Sequence, residues 1–523
     1  MTSSWIFRGV LLLVVGLTYG LVWANDIPLG VPGEWDWSRR KPEGDLIVPL
    51  VVSALVGLLY CGWAAWGRSR IGAAARFGRV AWVAGLVGVT LVWWWTVLSL
   101  LPGPTGIGRI PWVLYFPGSS GYFTQAKGEV HDSREFLRTY RQRVAEAEGM
   151  DRYLHLGTHP PGLALAFHGL ISACERWPVL IRVSEATEST AVRESFEAIG
   201  STAPRGAGPT RPERAALWLG WWLVAGGAAL GGPAIYGLAR RRLGPVESWS
   251  AAVLWPLVPA IVVFFPKSDA LFGGLSPVLA WCWFRAVDRR SWLGAFVFGV
   301  LLYGCLLLSL AFLPVALLIA IASVLELVAK RLPVAGAPPN DSATPFNPRP
   351  FSSMVQCVVA ALIGFAVPLV GLWAWAGYNT VSVALVNLRN HAEFYQHSPR
   401  TYRSWLIVNP LEFAMAAGLP VIVAVVYRVL RSRSIGRHVG STVAAAGLVW
   451  VILWLSGKNM GEAARLWCFL LSWPVLATAA LSQVDERHEA GRVRSDWMWL
   501  LTTQMFASLA TVLVVDGFAF GKL

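Results

Sequence analysis

The stretch that decides the fold reads Thr158-His159-Pro160-Pro161-Gly162, followed by Leu163-Ala164-Leu165-Ala166-Phe167-His168-Gly169-Leu170-Ile171-Ser172-Ala173-Cys174. Its apolar part, Gly162 to Cys174, would cover only about 20 Å as a helix, short of the ~30 Å hydrocarbon core of a bilayer. Leu163, Phe167, Leu170 and Cys174 recur on one helical face, the pattern of an amphipathic helix lying on a surface. A chain that is 55% apolar and 14% charged has room for many membrane crossings. This segment marks where the crossings stop and chemistry begins.

Outward from it, apolar stretches near the ~20 residues of a membrane span lie at about 5–24, 46–67, 80–101, 215–238, 247–265 and 270–286. The run 291–329 accommodates two short spans meeting near Ser309, and further stretches lie at 354–376, 408–430, 439–456, 465–482 and 496–516. The expected architecture is an all-α polytopic membrane protein with about 13 transmembrane helices. The first stretch follows Arg8 and is longer than the apolar region of a usual signal peptide, so a retained anchor is expected.

Orientation follows from Lys and Arg placement. Arg68, Arg70, Arg76 and Arg79 place the loop after the second span inside, and Arg240, Arg241 and Arg242 do the same after the fourth. Residues 102–214 must then begin and end outside. Such a long connection is usually functional. Nearly all of the +14 net charge falls on the cytoplasmic side, where insertion and the anionic inner leaflet account for it; nucleic-acid binding is not expected. Low hydropathy with high charge, the mark of disorder, is absent. The six cysteines, Cys61, Cys174, Cys282, Cys305, Cys357 and Cys468, are widely spaced and read as small buried hydrophobes.

The chain divides into a two-helix N-terminal extension (1–79), a membrane module (80–331) with the outer loop 102–214, a Pro-rich cytoplasmic linker (332–353), and C-terminal membrane helices (354–523) with outer loops 377–407 and 457–464. Few ionisable side chains fall within the apolar runs, which argues against a mid-membrane proton relay. They gather at the outer face in four places. Gly121 to Gly162 carries Glu129, His131, Asp132, Glu135, Asp151, His155 and His159. A carboxylate beside an apolar boundary can act as a general base; equally, Ser133 to Glu148 reads as a solvated helix capped by Asp132 or Ser133. In Thr158 to Gly162 two prolines fix the backbone and hold His159 rigidly, either for chemistry or as a cap.

The short turn Phe265-Pro266-Lys267-Ser268-Asp269 offers an anion site or an interfacial ion pair. Asn387 to Pro410 interleaves Arg389, His391, Glu393, Tyr395, His397, Arg400 and Arg403, a mixture suited to a phosphate joined to a sugar or an apolar tail, or to interface anchoring. Ser456 to Trp467 spaces Lys458, Glu462 and Arg465 so that a helix would set them near one face, as an anion site or an intrahelical ion pair.

These motifs resemble the GT-C fold of membrane glycosyltransferases, which take sugars from polyprenyl-phosphate carriers and include protein O-mannosyltransferases and the lipid A aminoarabinose transferase. His159-Pro160-Pro161 is similar to the His-Pro-Pro or Lys-Pro-Pro element that ends their enlarged outer loop. Asp269 resembles an Asp in a short outer turn, and Arg465 a basic residue of a late outer loop. Asn390 to Tyr395 and Gly461 to Trp467 are similar to stretches of bacterial members. The large loop follows span three rather than span one, and Gln125 stands in a register where relatives place the base, with Glu34 and Asp36 as other carboxylates of the outer face.

The resemblance implies an inverting glycosyltransferase at the extracytoplasmic face of the cell membrane. Its partners would be a polyprenyl-phosphate sugar donor, membrane lipids and a cell-envelope glycan, lipid or protein acceptor. Glu129 or Asp132 would be the base, His159 and Asp269 would position substrate, and Lys267, Lys458 and Arg465 would hold the phosphate, with Arg389, His391 and Glu462 completing the binding set. Carboxylates beside phosphate suit Mg²⁺ or Mn²⁺, although no ligand cluster demands a metal. The alternatives are a lipid or saccharide transporter and a non-catalytic partner subunit of the same fold.

Overall fold

The computed structural model describes residues 2–40, 47–101, 105–146, 156–202, 208–331, 351–397, 399–431, 440–479 and 486–518. Most of the Pro-rich linker, together with Asp151 and His155, lies outside the described residues. The chain is an all-α multi-pass membrane protein. Among the described residues nine helices are long and apolar enough to cross a bilayer: Ser4–Trp23, Ile47–Ile71, Arg76–Ser99, Arg211–Ala239, Pro245–Val263, Ser268–Arg289, Phe312–Ala329, Ser353–Ala376 and Asp496–Val514.

The other four stretches expected to cross are of a different kind. Trp292–Leu308, Gly440–Leu455 and Cys468–Thr478 are shorter apolar helices; the last would rise about 16 Å, half a hydrocarbon core. The fourth, Tyr402–Ala417 with Leu419–Tyr427, is bent by 101°. Gly418 makes the bend, at φ +95°, where a Cβ would fall 2.1 Å from the Gln504 side chain. That buried amide donates to the Ala417 and Leu257 carbonyls at 2.9 and 3.0 Å, satisfying backbone that the break frees.

The described residues of 105–146 and 156–202 form short helices, none of them long enough to span. Ser133–Glu146 is a helix, with the Asp132 carboxylate accepting from the Arg134 and Glu135 N–H groups at 2.6 and 3.1 Å. Gly162–Arg176 is a helix whose Leu163, Phe167, Ile171 and Cys174 are buried. It packs against the span that begins at Arg211, because one apolar stripe needs one apolar partner. All six cysteines are free, five of them buried.

The N-terminal helix is bound into the body. Helix Ser4–Trp23 runs against Asp496–Val514, with Arg8 on Asp496 at 2.7 Å. The residues after it form a two-residue hairpin, Gly30–Val31 with Trp35–Asp36. Ser38–Arg39 then pairs antiparallel with Val515–Asp516 at the far end of the chain.

Candidate active site

Four separated segments converge at one end of the bundle, and local geometry explains how each delivers its side chain. After Pro160-Pro161 the helix Gly162–Arg176 sits so close to a neighbouring helix that a Cβ on Gly162 would lie 2.4 Å from the Leu307 carbonyl oxygen. This fixes the preceding turn. His159 is held there by the Tyr140 hydroxyl, which donates to its carbonyl at 2.9 Å, and by Thr158 Oγ1, 2.9 Å from its Nδ1.

Tyr122, at the start of a short helix that follows Gly121 at φ +73°, stands edge-on to His159 with ring centroids 5.7 Å apart. Burial raises its phenol pKa, the Asp269 charge raises it further, and Arg465 opposes both.

The turn 265–269 places Lys267 immediately before helix Ser268–Arg289 and Asp269 in its first turn. Lys267 is only 8% exposed. Burial pushes its ammonium down to about 7, neighbouring Arg465 pushes the same way, and Asp269 and Glu462 act against them. Neither the Lys267 ammonium nor the Asp269 carboxylate has a hydrogen bond or ion pair among the described residues.

The fourth segment departs from the helical reading of Ser456 to Trp467. Gly457, Asn459, Gly461 and Glu462 all take positive φ, so the chain coils, and only Ala463–Leu466 is helical. Three glycine and asparagine positions tolerate this conformation. Glu462 and Arg465 stay together, Nη2 to Oε2 2.8 Å. Lys458 lies near His391, whose imidazole its charge acts on.

Arg465 is buried, and its Nε–H has no hydrogen-bond partner among the described residues. Burial works against its charge, but Glu462, Asp269 and Tyr122 outweigh that and raise its pKa. The loop is anchored by Glu412, which accepts from the Ala463 N–H at 3.1 Å and from the Trp37 indole.

His159, Lys267, Asp269, Glu462 and Arg465 are therefore gathered, with Tyr122 among them. His391 and Lys458 form an adjoining group: His391 Nε2 lies 3.3 Å from Asn459 Nδ2, and its pKa is lowered by burial first and Lys458 second.

The remaining candidates stand apart. Glu129 is bound by Arg143 at 3.1 Å and by Gln125 at 3.4 Å. Asp132 is exposed and serves as the helix cap already described. Arg389 pairs with Glu393 at 2.6 Å on helix Thr380–His397, so Asn387 to His397 is the end of a helix rather than loop. Glu34 accepts from the Trp405 indole at 2.7 Å and the Thr401 N–H at 2.8 Å, fastening the hairpin, and Asp36 is an exposed strand residue.

Among the described residues no three His, Cys, Asp or Glu side chains are grouped to hold a metal ion. Glu462 is committed to Arg465, leaving Asp269 as a lone carboxylate, which is not a donor set for Mg²⁺ or Mn²⁺.

Sequence reasoning missed Tyr122 and Glu412. Tyr122 lies inside the polar stretch 121–162 without a spacing that singles it out, and Glu412 follows Pro410 in an otherwise apolar run. The one available signal for Glu412 was its rarity, since ionisable groups in apolar runs are costly.

No family model matches the chain, and no curated protein matches it. Among solved structures, a crystal structure of the Archaeoglobus fulgidus oligosaccharyltransferase in complex with Zn and sulfate aligns with a TM-score of 0.32 and 17% identity. The alignment covers 62% of this chain and 44% of that one, so the chain spans less than half of the archaeal enzyme's length.

Proposed function

We propose that the chain is an inverting glycosyltransferase that moves a sugar from a polyprenyl-phosphate donor to an acceptor hydroxyl at the outer membrane surface. The observation that carries this reading is that Lys267 and Asp269, two residues apart in the gathered site beside Arg465 and His159, have no hydrogen bond or ion pair among the described residues, the Lys267 ammonium facing the Phe518 ring at 5.8 Å. Burying a charge costs several kcal/mol unless something pairs with it. An anionic phosphate for Lys267 and Arg465, with a hydroxyl proton for Asp269, supplies the missing partners.

In this reading Asp269, rather than Glu129 or Asp132, takes the acceptor proton. Glu129 is already neutralised by Arg143 and Asp132 is turned to its helix. The acceptor oxygen bonds to the anomeric carbon as the carbon–oxygen bond to phosphate breaks. The electron pair leaves with polyprenyl phosphate, whose growing charge meets Lys267 and Arg465. His159 and Tyr122 wall the sugar side, and His391 with Lys458 extends the site toward the acceptor. The positive-inside pattern puts this end of the bundle outside.

The test is transfer by the purified, reconstituted protein from labelled polyprenyl-phosphate sugars to a panel of hydroxyl acceptors. Asp269→Asn should lower kcat about 10³-fold, with Glu129→Gln and Asp132→Asn near wild type. Passage of intact carrier lipid across vesicles without transfer, or full turnover by Asp269→Asn, would overturn the assignment.

A further inference from the structure

Behind the loop that carries Arg465 lies a cavity of about 220 Å³. The N-terminal extension supplies one wall, including Val22, Leu29 and Trp37, and the other comes from the membrane module, including Phe264, and the C-terminal membrane helices, including Met415 and Ala464. Its volume is roughly half as large again as the ~150 Å³ engineered apolar cavity that stays dry and takes up benzene.

The cavity makes almost no polar demand. Its ionisable residue, Glu412, spends its two oxygens on the Trp37 indole and the Ala463 N–H. Thr511 Oγ1, the hydroxyl on its wall, donates to Ala507 O at 3.0 Å within its own helix.

Two features say what enters. At the rim, Ile27, four residues past helix Ser4–Trp23, is 42% exposed and Leu411, in the middle of helix Tyr402–Ala417, is 61% exposed; large apolar side chains left uncovered on a membrane bundle turn the mouth toward lipid. At the inner end the wall is continuous with the polar site. Ala464 directly precedes Arg465, and the carbonyl of Phe264 accepts the Lys267 N–H at 2.8 Å.

We infer that this cavity holds the phosphate-proximal isoprenoid units of the lipid donor, and that the extension, through Val22, Leu29 and Trp37, sets which chain the enzyme accepts. The inference rests on the function proposed above. A chain whose phosphate lies between Lys267 and Arg465 reaches the cavity within its first units, and the rest runs out past Ile27 and Leu411 into the bilayer. Seating also places apolar atoms against Ala464, on the short helix that presents Arg465, so a fitting chain braces the leaving-group cation.

The experiment uses the full-length protein in lipid nanodiscs, with a farnesyl phosphate probe bearing a diazirine on its first isoprene unit. Photolabel should map to peptides covering residues 21–37 and 408–416. Leu29→Trp and Ala416→Phe, which fill the cavity from opposite walls, should each cut labelling at least tenfold while unfolding at the wild-type temperature. If either filling variant fails to fold, the other carries the result.

Labelling of other segments, wild-type labelling of both filled variants, or equal labelling by a diazirine lysophosphatidate overturns the inference. The two proposals fail separately. Sugar transfer with label mapping elsewhere removes the cavity assignment and keeps the enzyme. Label in the cavity with no transfer from any polyprenyl-phosphate sugar removes the enzyme and leaves an isoprenoid site.

Discussion

Helix Ser268–Arg289 carries an aspartate in its first turn and another in its last, about 28 Å apart along the axis, and the chain treats them in opposite ways. Asp288 belongs to a closed network. Arg241 bonds it at 2.7 and 3.2 Å and reaches Glu326 at 2.8 and 3.1 Å. Arg242 adds a third contact to Glu326 at 3.2 Å, and the Phe284 ring lies 4.2 Å beneath the Arg241 guanidinium. Three helix ends are tied together there, and each bidentate contact uses the planar fork that suits arginine to carboxylates.

Asp269 sits among Lys267, Arg465 and Tyr122 with no hydrogen bond or ion pair to any of them. Charges that hold a structure together saturate one another. Charges kept at a distance, at a cost in desolvation, are available to something that is not part of the chain.

The sharpest way to break this contrast is to neutralise one carboxylate at each end. Glu326→Gln leaves Arg241 buried with half its partners and should lower stability by about 3 kcal/mol, read from denaturant unfolding in detergent. Asp269→Asn removes a charge that makes no hydrogen bond or ion pair among the described residues and acts on Lys267 and Arg465 only through space, so its unfolding midpoint should fall far less than that of Glu326→Gln while transfer collapses. If Asp269→Asn instead unfolds as easily as Glu326→Gln, the two ends are alike and the open site is structural.

A second test uses pH. Lys267 titrates near 7 in the folded protein and near 10.4 when unfolded. Between those values the unfolded chain binds the extra proton, so this group makes stability rise with pH across that window. Phosphate binding needs the ammonium, so kcat/KM should fall as pH rises through about 7, the free-enzyme value. Lys267→Met should cost 10- to 100-fold in rate and erase that alkaline limb, the opposite of what a merely buried lysine would do. An unaltered limb would assign it to another group.

Much of this was legible before the structure. Apolar length marks membrane helices because the bilayer leaves backbone polar groups no other partner, and the break between Trp292–Leu308 and Phe312–Arg331 falls where Ser309 interrupts the run. The joining of Lys267, Asp269, His159 and Arg465 at one end followed from counting crossings between positive loops.

Other features depended on distant partners. The bend at Gly418 requires Gln504, 86 positions later, to satisfy the broken turn. The coil at 457–462 depends on Glu412 and Asn409 from a separate helix, Asn409 Nδ2 donating to Asn459 O at 3.4 Å. Local periodicity read that segment as helix because its spacing is compatible with one. Glu129 looked available only because Arg143, on the far side of a helix turn and fourteen residues on, could not be placed from spacing alone.

The smallest expected effect distinguishes a carboxylate that shapes its own helix from one that serves the site. Asp132 caps Ser133–Glu146 by accepting from two first-turn N–H groups, and replacing such a cap with alanine typically costs about 1 kcal/mol. That helix presents Tyr140, whose hydroxyl holds the His159 carbonyl, but Phe136, Leu137, Tyr140 and Val144 anchor it by burial independently of the cap. Asp132→Ala should therefore lower the unfolding midpoint slightly and leave kcat and its pH profile unchanged. Asp132→Asn, which keeps an oxygen acceptor at the cap, should restore most of the stability. A loss of rate in both variants would mean that the charge itself, rather than the cap, acts on the site, and would return Asp132 to the catalytic set alongside Asp269.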